Sequence, residues 1–223
     1  MERQQDEQTP TELPSSIITM MTTEHYNLQS GRSMTVSDIN GRTALFIGAV
    51  SSALIALAFI GNISHLGTAF FVFSLVLFPS LVFMGLVSFE RVLQSEIEDI
   101  IYARGMNRIR HFYLEHAPQM HPYFVLSAHD DQGVPFNLGV HRSWWQIFLT
   151  TSGMLAVINS VLVGGFVSLL LSALFSLPLL VCTSAGVVAF LLSVVLHQRR
   201  QLRQWKRLQR ELPTQFPSQP QME

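Results

Sequence analysis

"LLVCTSAGVVAFLLSVVL", Leu179–Leu196, runs directly into "HQRRQLRQWKRLQRE", His197–Glu211. The first stretch carries no charge in 18 residues, and the second holds six of the chain's fourteen basic residues between Arg199 and Arg210. As a helix, 18 residues cover about 27 Å, close to the hydrocarbon thickness of a bilayer. Lysine and arginine are retained on the cytoplasmic face of membranes. The junction after Leu196 therefore reads as the point where a spanning helix emerges into the cytoplasm.

The same contrast recurs along the chain. Charged residues make up 13% of the 223 positions, against about 25% in soluble domains. They vanish from Thr43 to Phe89 and from Ser143 to Leu196, and they gather between and outside those windows. "TALFIGAVSSALIALAFI", Thr43–Ile60, is long enough to be one span, and "LGTAFFVFSLVLFPSLVFMGLV", Leu66–Val87, is a second with a kink expected at Pro79. The 54 uncharged residues Ser143–Leu196 exceed one crossing and must fold back near "SLP", Ser176–Pro178. Helices are expected over Trp144–Leu171 and Leu179–Leu196, with Pro178 suited to the first turn of the latter. Buried helices of soluble proteins carry a polar face somewhere, and these four segments carry none. The expected fold class is an all-α integral membrane protein, with four transmembrane helices in two hairpins and cytoplasmic helical extensions.

Orientation follows from the basic residues. Arg3, Arg32 and Arg42 precede the first span. Arg91, Arg104, Arg108, Arg110 and Arg142 lie in the central loop, and the last six follow the fourth span. The short turns after the first and third spans carry none. All fourteen agree with both termini and the central loop in the cytoplasm, and the expected location is a bacterial-type plasma membrane.

The parts divide as follows: a disordered polar tail over 1–21, an amphipathic juxtamembrane helix over 22–42 weakened by Gly31, and a transmembrane hairpin over 43–88. A cytoplasmic helix and loop follow over 89–142, a second hairpin over 143–197, and a basic helix and tail over 198–223. Expected membrane-interface residues are Arg42, Trp144, Trp145, Arg199, Arg200, Arg203, Trp205, Lys206, Arg207 and Arg210. Arg199, Arg203, Lys206 and Arg210 share one stripe of the tail helix, and Leu202, Trp205 and Leu208 form an apolar stripe beside it. Such a helix can lie in the headgroup plane, with its cations on anionic lipid. Expected packing residues are Ala44, Gly48, Ser52 and Ala56, a stripe of small residues that lets helix backbones approach, and Asn159 as interhelical glue. Packing within the chain is the first use of that stripe, and pairing of two copies the second.

In the central loop, Glu90–Ala117 reads as a helix continuing the second span. Leu93, Ile97, Ile101, Ile109 and Phe112 form its apolar stripe, and Arg104, Arg108, His111 and Glu115 line the opposite face. "YFVLSAHDDQGVPFNLGV", Tyr123–Val140, suggests a hairpin around Asp130–Gly133, although Pro135 argues against a strand there. Five histidines fall in the loop: His111, His116, His121, His129 and His141. His111, His116 and His121 are five apart, which places helical neighbours about 140° apart and not on one face, and polar surface histidine is the expected role for all five. Cys182 is alone in an apolar run and reads as a small hydrophobe. No catalytic or phosphate-binding motif is present and no Asp, Glu, Lys or Arg lies within the spans, so neither catalysis nor a cofactor or metal is expected.

"SDINGRTALFIGAVSSALIALAF", Ser37–Phe59, resembles the entry to the membrane hairpin of bacterial effector modules of the cyclic-nucleotide-triggered anti-phage type, including Pycsar-type and SLATT-type proteins. It covers about one tenth of the chain, and the second hairpin and the His121–Gly133 insert depart from the simplest version. The chain also resembles bacterial four-span membrane proteins for which no activity is implied. Neither resemblance transfers functional residues. The function expected is a non-enzymatic scaffold or interaction protein. Alternatives are an oligomerising, membrane-perturbing effector and a small channel or transporter subunit. The expected partners are anionic lipid at the cytoplasmic face and a second copy of the chain, but not nucleic acid.

Overall fold

A computed structural model describes residues 13–131, 146–175 and 177–218. Two helices of 49 residues each, α1 (Ser15–Ile63) and α2 (Thr68–His116), form the first hairpin. A 3-10 turn over Pro118–Tyr123 follows, then a four-residue α3 (Gln146–Leu149), α4 (Thr151–Phe175) and α5 (Leu179–Glu211). α1, α2, α4 and α5 are each long and apolar enough to cross a bilayer. The protein is an all-α, four-span membrane protein.

A 49-residue helix is about 74 Å long, more than twice the hydrocarbon thickness. The surplus lies at one end. Charges first appear at Arg42 on α1, Glu90 on α2 and Arg199 on α5, and these positions lie at similar depth. Ser95 Oγ of α2 donates to Asp38 of α1 at 3.0 Å, and Arg200 Nε of α5 donates to Glu90 of α2 at 3.1 Å. Beyond this level the helices continue as a charged stalk. At the opposite end the turn at Ser64–Gly67 carries no Asp, Glu, Lys or Arg. That turn is tight, with His65 and Leu66 both left-handed at φ 45° and 57°.

Packing is an open array rather than a closed bundle. α2 and α4 form the inner pair, α1 lies along α2 and α5 along α4, and the contacts of α1 with α4 and of α2 with α5 are slight. The core runs through the inner pair and α1: Phe46 and Ala53, then Phe78, Leu81, Phe89, Val92 and Leu93, then Leu155, Ala156 and Leu162.

Several expectations change. α1 starts at Ser15, inside the segment expected to be disordered, with Thr19 and Thr23 hydroxyls bonded to the carbonyls four residues earlier; residues 1–12 lie outside the described residues. The juxtamembrane helix over 22–42 is not a separate surface helix, because it continues into the first span without a break. Gly31 does not interrupt it; the Tyr102 ring of α2 occupies the space a side chain would need.

The third span is shifted from Trp144–Leu171 to Thr151–Phe175. α3 folds over the start of α4, and a side chain at Gly153 would strike the Ile147 carbonyl. The basic tail is no separate helix: α5 is unbroken from Leu179 to Glu211, so the tail continues the fourth apolar helix. Among the described residues of the expected hairpin, 123–131, no strand forms. Pro118 and Pro122 lack the N–H a ladder needs, and they fix a 3-10 turn instead. Residues 132–140 of that hairpin lie outside the described residues.

Candidate functional site

Two polar constructions stand out from the apolar slab, and both lie toward the stalk. The first joins α2, α4 and α5 just beyond the slab. The amino terminus of α4 exposes N–H groups that no helical carbonyl accepts. Thr150 Oγ1 accepts from Gly153 N at 3.0 Å, as an N-cap side chain does. Glu96 of α2 supplies the second acceptor: Ser152 N donates to Oε1 at 3.0 Å, and Ser152 Oγ to Oε2 at 2.6 Å. A carboxylate at a helix amino terminus is also favoured by the helix dipole. From α5, the buried Gln201 donates through Nε2 to Thr150 Oγ1 at 2.9 Å and to Ser152 Oγ at 3.0 Å. Burial pushes the Glu96 carboxyl above its ordinary range, and the Ser152 hydrogen bonds offset only part of that.

About two turns further along α4, Asn159 is fully buried, with Nδ2 3.4 Å from Nε2 of His197 on α5. Its side chain lies where a side chain at Gly85 of α2 would have to go. The His197 ring meets Phe89 of α2 edge-on, with centroids 4.7 Å apart. Asn159 thus touches both partners of its helix. The Ser160 and Ser193 hydroxyls are 2.9 Å apart between α4 and α5.

The second construction is at mid-stalk, where the chain's last described segment, Leu212–Ser218, folds back onto α2 and the 127–131 loop. Asn107 Nδ2 donates to the His129 carbonyl at 3.0 Å and pins that loop to α2. Asp130, with no exposed surface, accepts from Arg108 Nε at 2.7 Å, Gln215 N at 3.1 Å and Phe216 N at 2.9 Å. Its own N–H donates to the Phe216 carbonyl at 3.2 Å. Arg104 Nη1 and Arg108 Nη2 donate to the carbonyls of Leu212 and Pro213 at 3.0 and 2.9 Å. The Phe216 ring stacks on His111 with centroids 4.0 Å apart. Asp131 accepts from Ser218 N at 2.8 Å. Burial raises the Asp130 pKa, but the two backbone donors and the Arg108 guanidinium outweigh it and hold the carboxyl below its ordinary value.

The interface residues separate into groups. Arg42 binds Asp38 on its own helix through Nε, at 2.8 and 2.9 Å. That guanidinium, offset in part by burial and aided by the Ser95 hydroxyl, keeps the Asp38 carboxyl low. Arg200 is paired with Glu90 and Arg207 with Glu211. Arg199, Arg203, Lys206 and Arg210 are exposed and Trp205 is half-buried. The tail's apolar stripe splits, since Leu208 is buried and Leu202 exposed. Trp144 and Trp145 lie outside the described residues.

Most of the small-residue stripe of α1 faces outward, and of its four residues Ala56 is the half-buried one. Ala44, Gly48 and Ser52 are exposed, and a side chain at Gly48 would meet nothing within 4 Å. α1 turns Phe46 and Ala53 inward instead, because the large Phe46 fills the space over Gly85. The seam of small residues is between α4 and α5. There Gly164 and Gly186 cross so closely that a side chain on Gly164 would lie 2.7 Å from the Gly186 carbonyl oxygen. Ser168 Oγ donates to the carbonyl of the buried Cys182 at 2.9 Å.

On α2, Arg104 is buried rather than on an outer face, because it reaches the tail, and Ile101 is exposed. Among the described residues no three His, Cys, Asp or Glu side chains converge on a metal-sized site; His141 lies outside them. Sequence spacing does not bring Glu96, Gln201 or the Asp130 contacts together; the one signal it offers is a carboxylate on the helix that continues the second span. No family model matches the chain, and no curated protein or solved structure is significantly similar to it.

Proposed function

We propose that this protein is a non-enzymatic scaffold of a bacterial-type plasma membrane, with both termini and the central loop in the cytoplasm and the stalk as the docking surface. One observation supports the reading above all others. Three ion pairs join four sequence-distant segments beyond the apolar slab. Arg32 Nε on α1 bonds Asp99 on α2 at 2.8 Å, Arg200 on α5 bonds Glu90 on α2, and Arg108 on α2 bonds Asp130 in the loop. A stalk serving only as a topology signal needs no such cross-links. The basic segments share one end of the molecule, which by the retention of Lys and Arg is the cytoplasmic end. The exposed Lys206 and Arg210 stand about 14 and 20 Å along α5 from His197. That distance is from the hydrocarbon edge, and with about 5–7 Å of headgroups above it Arg210 still stands about a Debye length or more clear, better placed for an acidic soluble partner than for lipid.

Orientation is tested with the chain's single cysteine, which is buried and gives little background. With Ser64→Cys, a membrane-impermeant maleimide should label intact cells; with Gln209→Cys it should label only permeabilised ones. The reverse pattern overturns the reading.

A second reading, an oligomerising effector that breaches the bilayer, is favoured by the outward stripe Ala44, Gly48 and Ser52. Overexpression distinguishes the two. The effector collapses the membrane potential reported by a voltage-sensitive dye, and replacing Gly48 with Leu abolishes the collapse; the scaffold leaves the potential intact.

A further inference from the structure

The contacts that hold Leu212–Ser218 are made mostly to its main chain, with two side-chain contacts beside them, the Phe216 ring on His111 and the Ser218 hydroxyl donating to Asp131. Arg104 and Arg108 grip two successive carbonyls, and Asp130 accepts two successive N–H groups and returns one bond from its own amide. The Phe216 ring on His111 is the main side-chain contact. This is the pattern by which an extended peptide is recognised: main-chain bonds provide affinity and a place for one side chain provides selectivity. It is built on α2 and the 127–131 loop, neither of which is continuous with the tail. Asp130 is fully buried, and without the tail it would keep only Arg108 among these partners, a costly arrangement for a carboxylate. The gripped segment begins at Leu212, directly after α5 ends at Glu211, so the tail competes at an effective concentration in the millimolar range or above.

We infer that the His111–Asp130 cleft is a receptor for an extended peptide of a partner protein, one presenting two consecutive main-chain N–H groups of which the second belongs to an aromatic residue. The chain's own tail is the resident occupant and keeps the cleft closed until it is displaced. The inference rests on the reading of the stalk as a docking surface. It can fail alone, because the probe is a defined peptide and not a stalk partner.

The probe is a fluorescein-labelled synthetic peptide of residues 212–218, LPTQFPS, titrated into the full-length chain in detergent. The double variant Gln215→Pro with Phe216→Ala removes one N–H donor and the ring from the resident tail. It should bind the peptide at least tenfold more tightly than the wild-type chain does. Adding Asp130→Asn to the double variant should weaken binding at least tenfold, and a probe with alanine in place of the phenylalanine should bind poorly. Phe216→Ala alone, which keeps every backbone donor, should fall between wild type and the double variant. Thermal unfolding of each variant checks that it is folded. Equal binding by wild type and a folded double variant, or binding that survives Asp130→Asn, overturns the inference.

Discussion

Glu96 of α2 and Ser152 of α4 are joined twice, through the serine amide at 3.0 Å and its hydroxyl at 2.6 Å. The carboxylate caps a helix from a neighbouring helix, so one residue both ends a row of orphan N–H groups and fixes the spacing of the inner pair. Burial raises its pKa above the ordinary 4.5. For an acid whose pKa is higher folded than unfolded, the folded state binds the extra proton between the two values. The associated stability is fully present below about 4.5 and is lost as pH rises through the folded pKa. Melting temperature measured in detergent should therefore decline across that window in the wild type. Glu96→Gln should flatten the decline while keeping most of the cap. Glu96→Ala should lower stability by about 1 kcal/mol, the usual value of a lost cap, with the larger deficit at the acid end of that window.

The α4–α5 seam predicts a strong contrast among glycines. A methyl at Gly164 meets a backbone carbonyl of α5, which cannot move without separating the helices. Gly164→Ala should cost about 1–3 kcal/mol, the range for overpacking a close contact. Gly48→Ala meets open space and should be neutral or slightly stabilising, since alanine is the better helix former. Thermal unfolding of the two variants side by side decides it, and equal losses would contradict the packing described.

That contrast also marks where sequence reading stops. The spans and the basic end are legible because they depend on composition over about 20 residues, and a charge in hydrocarbon is costly wherever it sits. Which stripe faces which helix is not local information. Ala44-Gly48-Ser52 and Ser160-Gly164-Ser168 look alike in sequence; only the placement of Phe46 over Gly85 turns the first stripe outward. Continuity of α1 was obscured because Gly31 lowers helix propensity, and its compensating contact, Tyr102, is 71 positions away. The Asp130 clasp was illegible for the same reason: its donors at Gln215 and Phe216 are 85 and 86 residues distant and are backbone groups, which every residue but proline possesses.

The clasp has its own acid limit. The Asp130 carboxyl is held below its ordinary 3.8. An acid with a depressed folded pKa contributes stability above its unfolded value and loses it as pH falls through the folded one. A spin label at Thr214→Cys, in a chain with Cys182→Ser, should be immobilised above about pH 4 and gain mobility on further acidification. With Asp130→Asn the label should be mobile throughout the range, because the amide keeps one acceptor oxygen for three donors. A label already mobile at neutral pH in the wild-type background would mean that the tail is not held.

Arg200 and Glu90 allow stability and orientation to be measured separately. The pair is two-pronged, but the side chains are 49% and 32% exposed, and pairs of that kind contribute about 0.2–1 kcal/mol. Glu90→Gln should lower stability by no more than that, and the deficit should disappear in 1 M salt, where the screening length is about 3 Å. Arg200→Lys should recover only part of the loss, because an ammonium cannot reproduce the fork of a guanidinium. The exposed set Arg199, Arg203, Lys206 and Arg210 should behave oppositely. Replacing all four with Gln leaves unfolding nearly unchanged, since among the described residues the ion pairs of α5 are made by Arg200 and Arg207 and not by these four. It should nevertheless reduce the fraction of molecules whose carboxyl end resists external labelling, because retention of the fourth span's flank depends on positive charge and not on packing. Loss of stability without loss of orientation in the fourfold variant would reassign those side chains from threading to folding.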